Sequence, residues 1–155
     1  MPFNIKRLLE FTILREQESV TLYTTLAKQA TDVELKNLFK DLAEQEKKHA
    51  RFYEETITQL GHDIVSAPLD LEDEYTIYMR SLMEEQSASL EITSEHIYSM
   101  EQAFDYAIAR EKNSVLFYIG LKDYVPAFAK PTLDLIIGEE MKHAAILTRF
   151  KSRKT

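Results

Sequence analysis

Two stretches of the chain repeat one pattern of potential metal ligands. Arg15-Glu16-x-x-Ser19-Val20-x-x-Tyr23 returns 95 positions later as Arg110-Glu111-x-x-Ser114-Val115-x-x-Tyr118. Each copy is followed by Glu-x-x-His-Ala: Glu46, His49 and Ala50 after the first, Glu140, His143 and Ala144 after the second. A single glutamate from each of two helices, with Glu-x-x-His from each of two others, is the ligand inventory of a two-metal carboxylate site in a four-helix bundle. The i, i+3 spacing of Glu-x-x-His places both side chains on adjacent turns of one helix face. In a chain with 26 acidic residues and 4 histidines that motif alone is weak. Its weight comes from the matched offsets, 30 residues from Glu16 to Glu46 and 29 from Glu111 to Glu140.

Such residues need long helices to carry them, and the composition supplies them. Hydrophobic residues make up 45% of the 155 residues, while Gly is 3 and Pro is 4, too few for strands joined by tight turns. The length suits one domain, taken as 1–155. Hydrophobic periodicity predicts helices over about 4–30, 32–60, 99–124 and 131–151. On the first, Ile5, Leu9, Thr12, Val20, Tyr23 and Ala27 fall within about 40° of Glu16, and Glu18 lies opposite. On the second, Leu35, Phe39, Leu42, Ala50, Tyr53 and Ile57 share a face with Glu46, with His49 beside it and Glu44 facing out. On the third, Met100, Phe104, Ala107, Val115 and Tyr118 accompany Glu111. On the fourth, Leu133, Ile136, Ala144 and Leu147 accompany Glu140, flanked by His143.

Local signals frame these helices. Asn4 is a candidate cap, Thr31-Asp32-Val33-Glu34 and Ser99-Met100-Glu101-Gln102 read as capping boxes, Gly61 as a stop, and Pro131 suits a first turn. Lys151 and Arg153 complement the last helix dipole. Residues 61–98 break the pattern: HDIVSAPLDLED reads as loop, Glu74 to about Gln86 as a short amphipathic helix, and SASLEITSEHIY as irregular. That span is too long for a bend between antiparallel helices and suits a crossover. The expected fold is therefore all-α, a ferritin-like four-helix bundle with a long crossover between its second and third helices.

A glutamate on an apolar face is costly when ionised and alone, and four of them would repel one another. Two iron ions with two imidazoles resolve that conflict, and manganese or zinc can replace iron in such a ligand set. Tyr23 and Tyr118 lie seven residues, about 10.5 Å, beyond their glutamates and lean back toward them. They are candidates to hydrogen-bond a ligating carboxylate; the alternative is a core tyrosine bonded elsewhere. Ser19 and Ser114 read as small residues that let helices approach, Arg15 and Arg110 as flanking residues that pair with outer carboxylates. His62 and His96 in the crossover lack partners at ligand spacing, and Glu139 is about 100° off Glu140. The stripe Tyr75, Tyr78, Met79, Leu82 and Met83 reads as packing over the bundle or at a dimer contact.

The net charge of -7 and the absence of an evident basic stripe disfavour nucleic acid. There is no cysteine, hence no disulfide, thiolate metal site or four-cysteine iron centre in these residues. No run approaches eighteen apolar residues, and the opening MPFNIKRLLEFTIL reads as an amphipathic helix and not a signal peptide. No membrane partner and a cytoplasmic setting are expected.

The ligand pattern resembles the ferritin-like diiron-carboxylate superfamily, most closely its rubrerythrin branch. The resemblance implies that Glu46 and Glu140 bridge two irons, with Glu16, Glu111, His49 and His143 terminal. It also marks two departures: no rubredoxin-like domain, and Ser114 where rubrerythrins carry an extra glutamate. An oxidoreductase reducing hydrogen peroxide or dioxygen, with an external electron-donor protein, is the leading expectation. The alternatives are a ferroxidase or iron-binding protein, and a metal-binding structural or regulatory bundle without turnover. A homodimer is expected on general grounds.

Overall fold

Helices form where the apolar periodicity places them, and the caps account for their starts. The structure, a computed structural model, describes residues 2–89 and 99–154. Among the described residues six α-helices follow in order: α1 (Ile5–Gln29), α2 (Val33–Leu60), α3 (His62–Ser66), α4 (Glu74–Ser89), α5 (Met100–Leu121) and α6 (Lys130–Lys154). The fold class is all-α; among the described residues the extended pairing is limited to one isolated bridge, Asn4 with Pro68. α1, α2, α5 and α6 correspond to the four expected helices. The chain separates into two compact units, Met1–Asp70 and Leu71–Thr155. Each holds one copy of the repeated ligand pattern.

In the first unit α1 packs along α2 across the short link 30–32. The Asn4 side chain accepts from the Arg7 amide at 2.9 Å and caps α1 as expected. At α2 the cap is Asp32, not Thr31 as a capping box would have it. The Asp32 carboxylate accepts from the Glu34 amide at 2.9 Å, and its carbonyl accepts from Lys36. Phe39 stacks on Tyr23, with centroids 6.1 Å apart and planes at 17°, joining the C-terminal half of α1 to the N-terminal half of α2. Gly61 ends α2 at φ +87, in the region that favours glycine. The stretch expected as loop then makes one helical turn, α3, because Val65 is apolar and finds a buried position. The chain returns alongside the N-terminus, where the Leu69 amide donates to the Phe3 carbonyl at 2.8 Å.

In the second unit α5 packs along α6, joined by two 3-10 turns, Lys122–Tyr124 and Ala127–Ala129. Ser99 caps α5 through the Gln102 amide. Pro131 falls in the first turn of α6, where a missing N–H costs nothing. Lys151 pairs with Asp105 of α5, so it ties the two helices together in addition to facing the α6 dipole. α4 covers part of α5. Of its apolar stripe, Met79, Leu82 and Met83 are buried, while Tyr75 and Tyr78 are exposed at 37% and 49%. Packing over the unit thus uses three of the five residues of the expected stripe. The Tyr75 hydroxyl donates to the Gly120 carbonyl at 2.5 Å, and burial beside Asp123 pushes its pKa up to about 12.

Gly120 is what lets α4 approach. A Cβ there would overlap the Met79 sulfur, which is fully buried and cannot swing into solvent. Gly120→Ala is expected to cost about 1–3 kcal/mol and to lower the melting temperature by several degrees. Gly138→Ala, with nothing within 4 Å of the new carbon, is expected to be neutral or stabilising. Thermal unfolding of both variants checks the contrast; equal melting temperatures would refute the packing account.

Candidate metal centre

α1 contributes Glu16 and α2 contributes Glu46 and His49, all on the buried faces that helical phase assigns to them. Their relative exposures are 1%, 1% and 3%. The His49 Nδ1 lies 3.6 Å from Glu16 Oε2 and 3.8 Å from Glu46 Oε2. In the second unit α5 contributes Glu111, and α6 contributes Glu140 and His143, with exposures of 2%, 1% and 2%. The His143 Nδ1 lies 3.6 Å from Glu111 Oε2 and 3.9 Å from Glu140 Oε2. The two triads have nearly the same dimensions, so the repeat in sequence is a repeat in geometry.

These separations test whether a metal fits. All four exceed hydrogen-bond length. Two ligand atoms on one ion at about 2.0–2.2 Å stand roughly 3–3.5 Å apart, close to what each triad offers. Within each triad, one ligand atom per residue lies within 4.8 Å of the others. Two carboxylates and one imidazole are hard-to-borderline donors that suit a first-row divalent or trivalent ion. Two carboxylates held this close and out of water would repel without a cation between them. The residues present fit a metal.

The remaining candidates fall out as follows. Tyr23 and Tyr118 are buried at 1% and 0%, as a phenol near the ligands requires. Ser19 and Ser114 are buried, consistent with close helix approach. Glu44 is exposed, as expected, and its carboxyl sits below the usual range because Lys47 donates to it. Glu18 is half-buried where full exposure was expected, and Glu139 is also half-buried. His62 is exposed, and His96 lies outside the described residues.

Two features were missed in the sequence. Arg15 and Arg110, expected beside the inner face, are buried at 1% and 7%. Each guanidinium lies over an aromatic ring four residues earlier, Arg15 over Phe11 at 5.8 Å and Arg110 over Tyr106 at 5.7 Å. An aromatic four residues before the repeated Arg-Glu, once per half, was the available signal. The second feature is the offset of Tyr53, whose place on the inner face of α2 follows from helical phase. Tyr53 is fully buried and stands seven residues beyond Glu46, the same offset that marks Tyr23 and Tyr118. Its counterpart after Glu140 is Leu147, so the halves differ there.

Fold and ligand sets define a class: an all-α protein with duplicated, buried Glu/Glu-x-x-His triads on a ferritin-like bundle. The fold is shared with the crystal structure of a Thermotoga maritima protein provisionally described as ferritin-like diiron-carboxylate. The two match with a TM-score of 0.75 and 24% identity over 100% of this chain and 99% of that one. The chain belongs to the Rubrerythrin family, whose model matches residues 7–151 and so includes all six ligand candidates. No curated protein gives a significant match. Among the described residues, no helix is long and apolar enough to cross a membrane.

Proposed function

We propose that the two triads are the halves of one two-iron centre, and that the protein is an oxidoreductase reducing hydrogen peroxide or dioxygen. The observation that carries the proposal is the pair of buried triads with matching distances, 3.6 and 3.8 Å in one and 3.6 and 3.9 Å in the other. Glu46 and Glu140 are the proposed bridging carboxylates, with Glu16, Glu111, His49 and His143 each completing one ion's shell. Bound iron would supply two electrons, which with two protons convert one hydrogen peroxide to two waters.

The chain's own residues do the rest. The glutamates set the charge that balances the ions, and their burial keeps bulk water from the centre. The imidazoles would each supply one nitrogen ligand from the turn next to Glu46 or Glu140. Tyr23 and Tyr118 would hold the carboxylates of the α1 and α5 ligands in place through their hydroxyls. The absence of cysteine means that any four-cysteine iron centre feeding electrons to this site would lie outside these residues.

Anaerobic reduction of the iron-loaded protein followed by peroxide addition is the test. Oxidation much faster than that of free Fe(II) is expected, and equal rates would sink the reading. Tyr23→Phe with Tyr118→Phe is expected to slow that oxidation by about 10–100-fold while leaving the fold intact. Unchanged rates and metal affinity would assign both tyrosines to packing alone.

A further inference from the structure

The net charge of -7 hides a local reversal. Lys36, Lys40 and Lys47 recur on α2 at intervals that keep them within about 40° of one another, a straight row roughly 16 Å long. Lys28, near the end of α1, faces them across a groove of about 530 Å³ that also touches Ala27, Ala43 and Glu44. Four lysines thus stand against one glutamate along a floor that includes alanine. Lys28, Lys40 and Lys47 are exposed and Lys36 is half-buried. Lys47 hydrogen-bonds Glu44 at 2.9 Å, and Lys48 and Arg51 add to the positive field that holds that carboxyl low.

The groove also leads somewhere. Lys47 is shared with a second groove of about 350 Å³ that touches Gln17, Val20, Ala50 and Arg51. Gln17 and Ala50 directly follow Glu16 and His49 in the chain. A body lying along the lysine row therefore ends at the helix turns that carry the first triad, about one helix width from its ligands.

We propose that this seam of α1 and α2 is the docking face for an acidic electron-carrying protein. A row of separated lysines matches the spread carboxylates of a protein surface better than it matches one small anion. It is also too short to track a nucleic-acid backbone. The electron-carrying role rests on the reading of the centre as a reductase. Each encounter passes one electron from the carrier's reduced metal to the oxidised centre. Two encounters restore the two electrons that one hydrogen peroxide and two protons consume on becoming two waters. Opposite charge speeds such encounters and makes them salt-sensitive.

The probe is an acidic rubredoxin, and the variants are K28E/K40E/K47E and a matched control, K6E/K112E/K142E, with all six lysines exposed. Calorimetric titration of the zinc-loaded, redox-inert protein with oxidised rubredoxin at low ionic strength reads docking without turnover. Stopped-flow oxidation of reduced rubredoxin by the iron-loaded protein reads electron delivery, and dithionite-fed peroxide consumption reads the centre alone. Wild type and control are expected to bind alike, the groove variant about tenfold or more weaker, with electron delivery falling in parallel and dithionite-fed turnover unchanged. Equal weakening in both variants, no weakening in either, or tighter binding of a single-stranded oligonucleotide than of rubredoxin overturns the docking face. If dithionite-fed turnover is absent in every form while the binding contrast persists, the reductase reading fails and the docking face stands.

Discussion

Replacing Glu46 and Glu140 together by alanine is expected to abolish stoichiometric metal binding. Each is 1% exposed and stands with a histidine and a second glutamate at the centre of its triad. Changes to groups that merely support a ligand lower metal affinity by about 10–100-fold, and loss of two ligands proposed to be shared by both ions should exceed that. Elemental analysis after iron loading and desalting should give about two ions per wild-type chain and fewer than one in the variant. His49→Ala alone should lose affinity at both ions if Glu46 and Glu140 are shared. Selective loss of a single ion, with the other bound as tightly as before, would indicate two independent sites.

The same residues should reverse sign in stability between the loaded and metal-free protein. A metal that binds only the folded chain, at a thousandfold excess over its dissociation constant, adds about 4 kcal/mol. For a chain of this size that is roughly 8–16 °C in melting temperature. EDTA treatment should remove this gain. Glu46→Leu with Glu140→Leu should then behave oppositely in the two states. Metal-free, two buried carboxylates have been exchanged for apolar groups, and the variant should gain about 1–4 kcal/mol over metal-free wild type. With metal present, the variant should melt well below loaded wild type, because it has lost the ion and its cross-links. Calorimetric melting of the four samples checks this. A variant destabilised to the same extent in both states would mean that the glutamates serve packing or hydrogen bonding and not metal.

Much of this site was legible because a helix converts spacing into direction. Counting at 100° per residue separated Glu16 from Glu18 and Glu46 from Glu44, and burial follows that separation for Glu16, Glu46 and Glu44. Asn4 and Ser99 cap the helices they precede, and Pro131 lies in a first turn. What was not legible depended on neighbours distant in sequence or on exceptions to residue averages. Arginine is rarely buried, so Arg15 and Arg110 were placed beside the inner face until their stacking on Phe11 and Tyr106 explained the burial. α3 is too short to show periodicity, and Val65 becomes a helix residue only because a buried position receives it. Asp32 wins the α2 cap from Thr31, a choice between two adjacent competent side chains that the motif does not settle. The lysine row is hidden in the net charge, which sums over the chain, whereas a groove samples one face of one helix pair.

The joining of two triads into one centre is tested most directly by Mössbauer and electron paramagnetic resonance spectroscopy of the iron-loaded, oxidised protein. Two ferric ions that share Glu46 and Glu140 should couple magnetically. About two irons per chain should then appear as a pair with a diamagnetic ground state and no paramagnetic resonance signal. Isolated high-spin ferric signals accounting for all the bound iron, or a single iron per chain, would contradict the account.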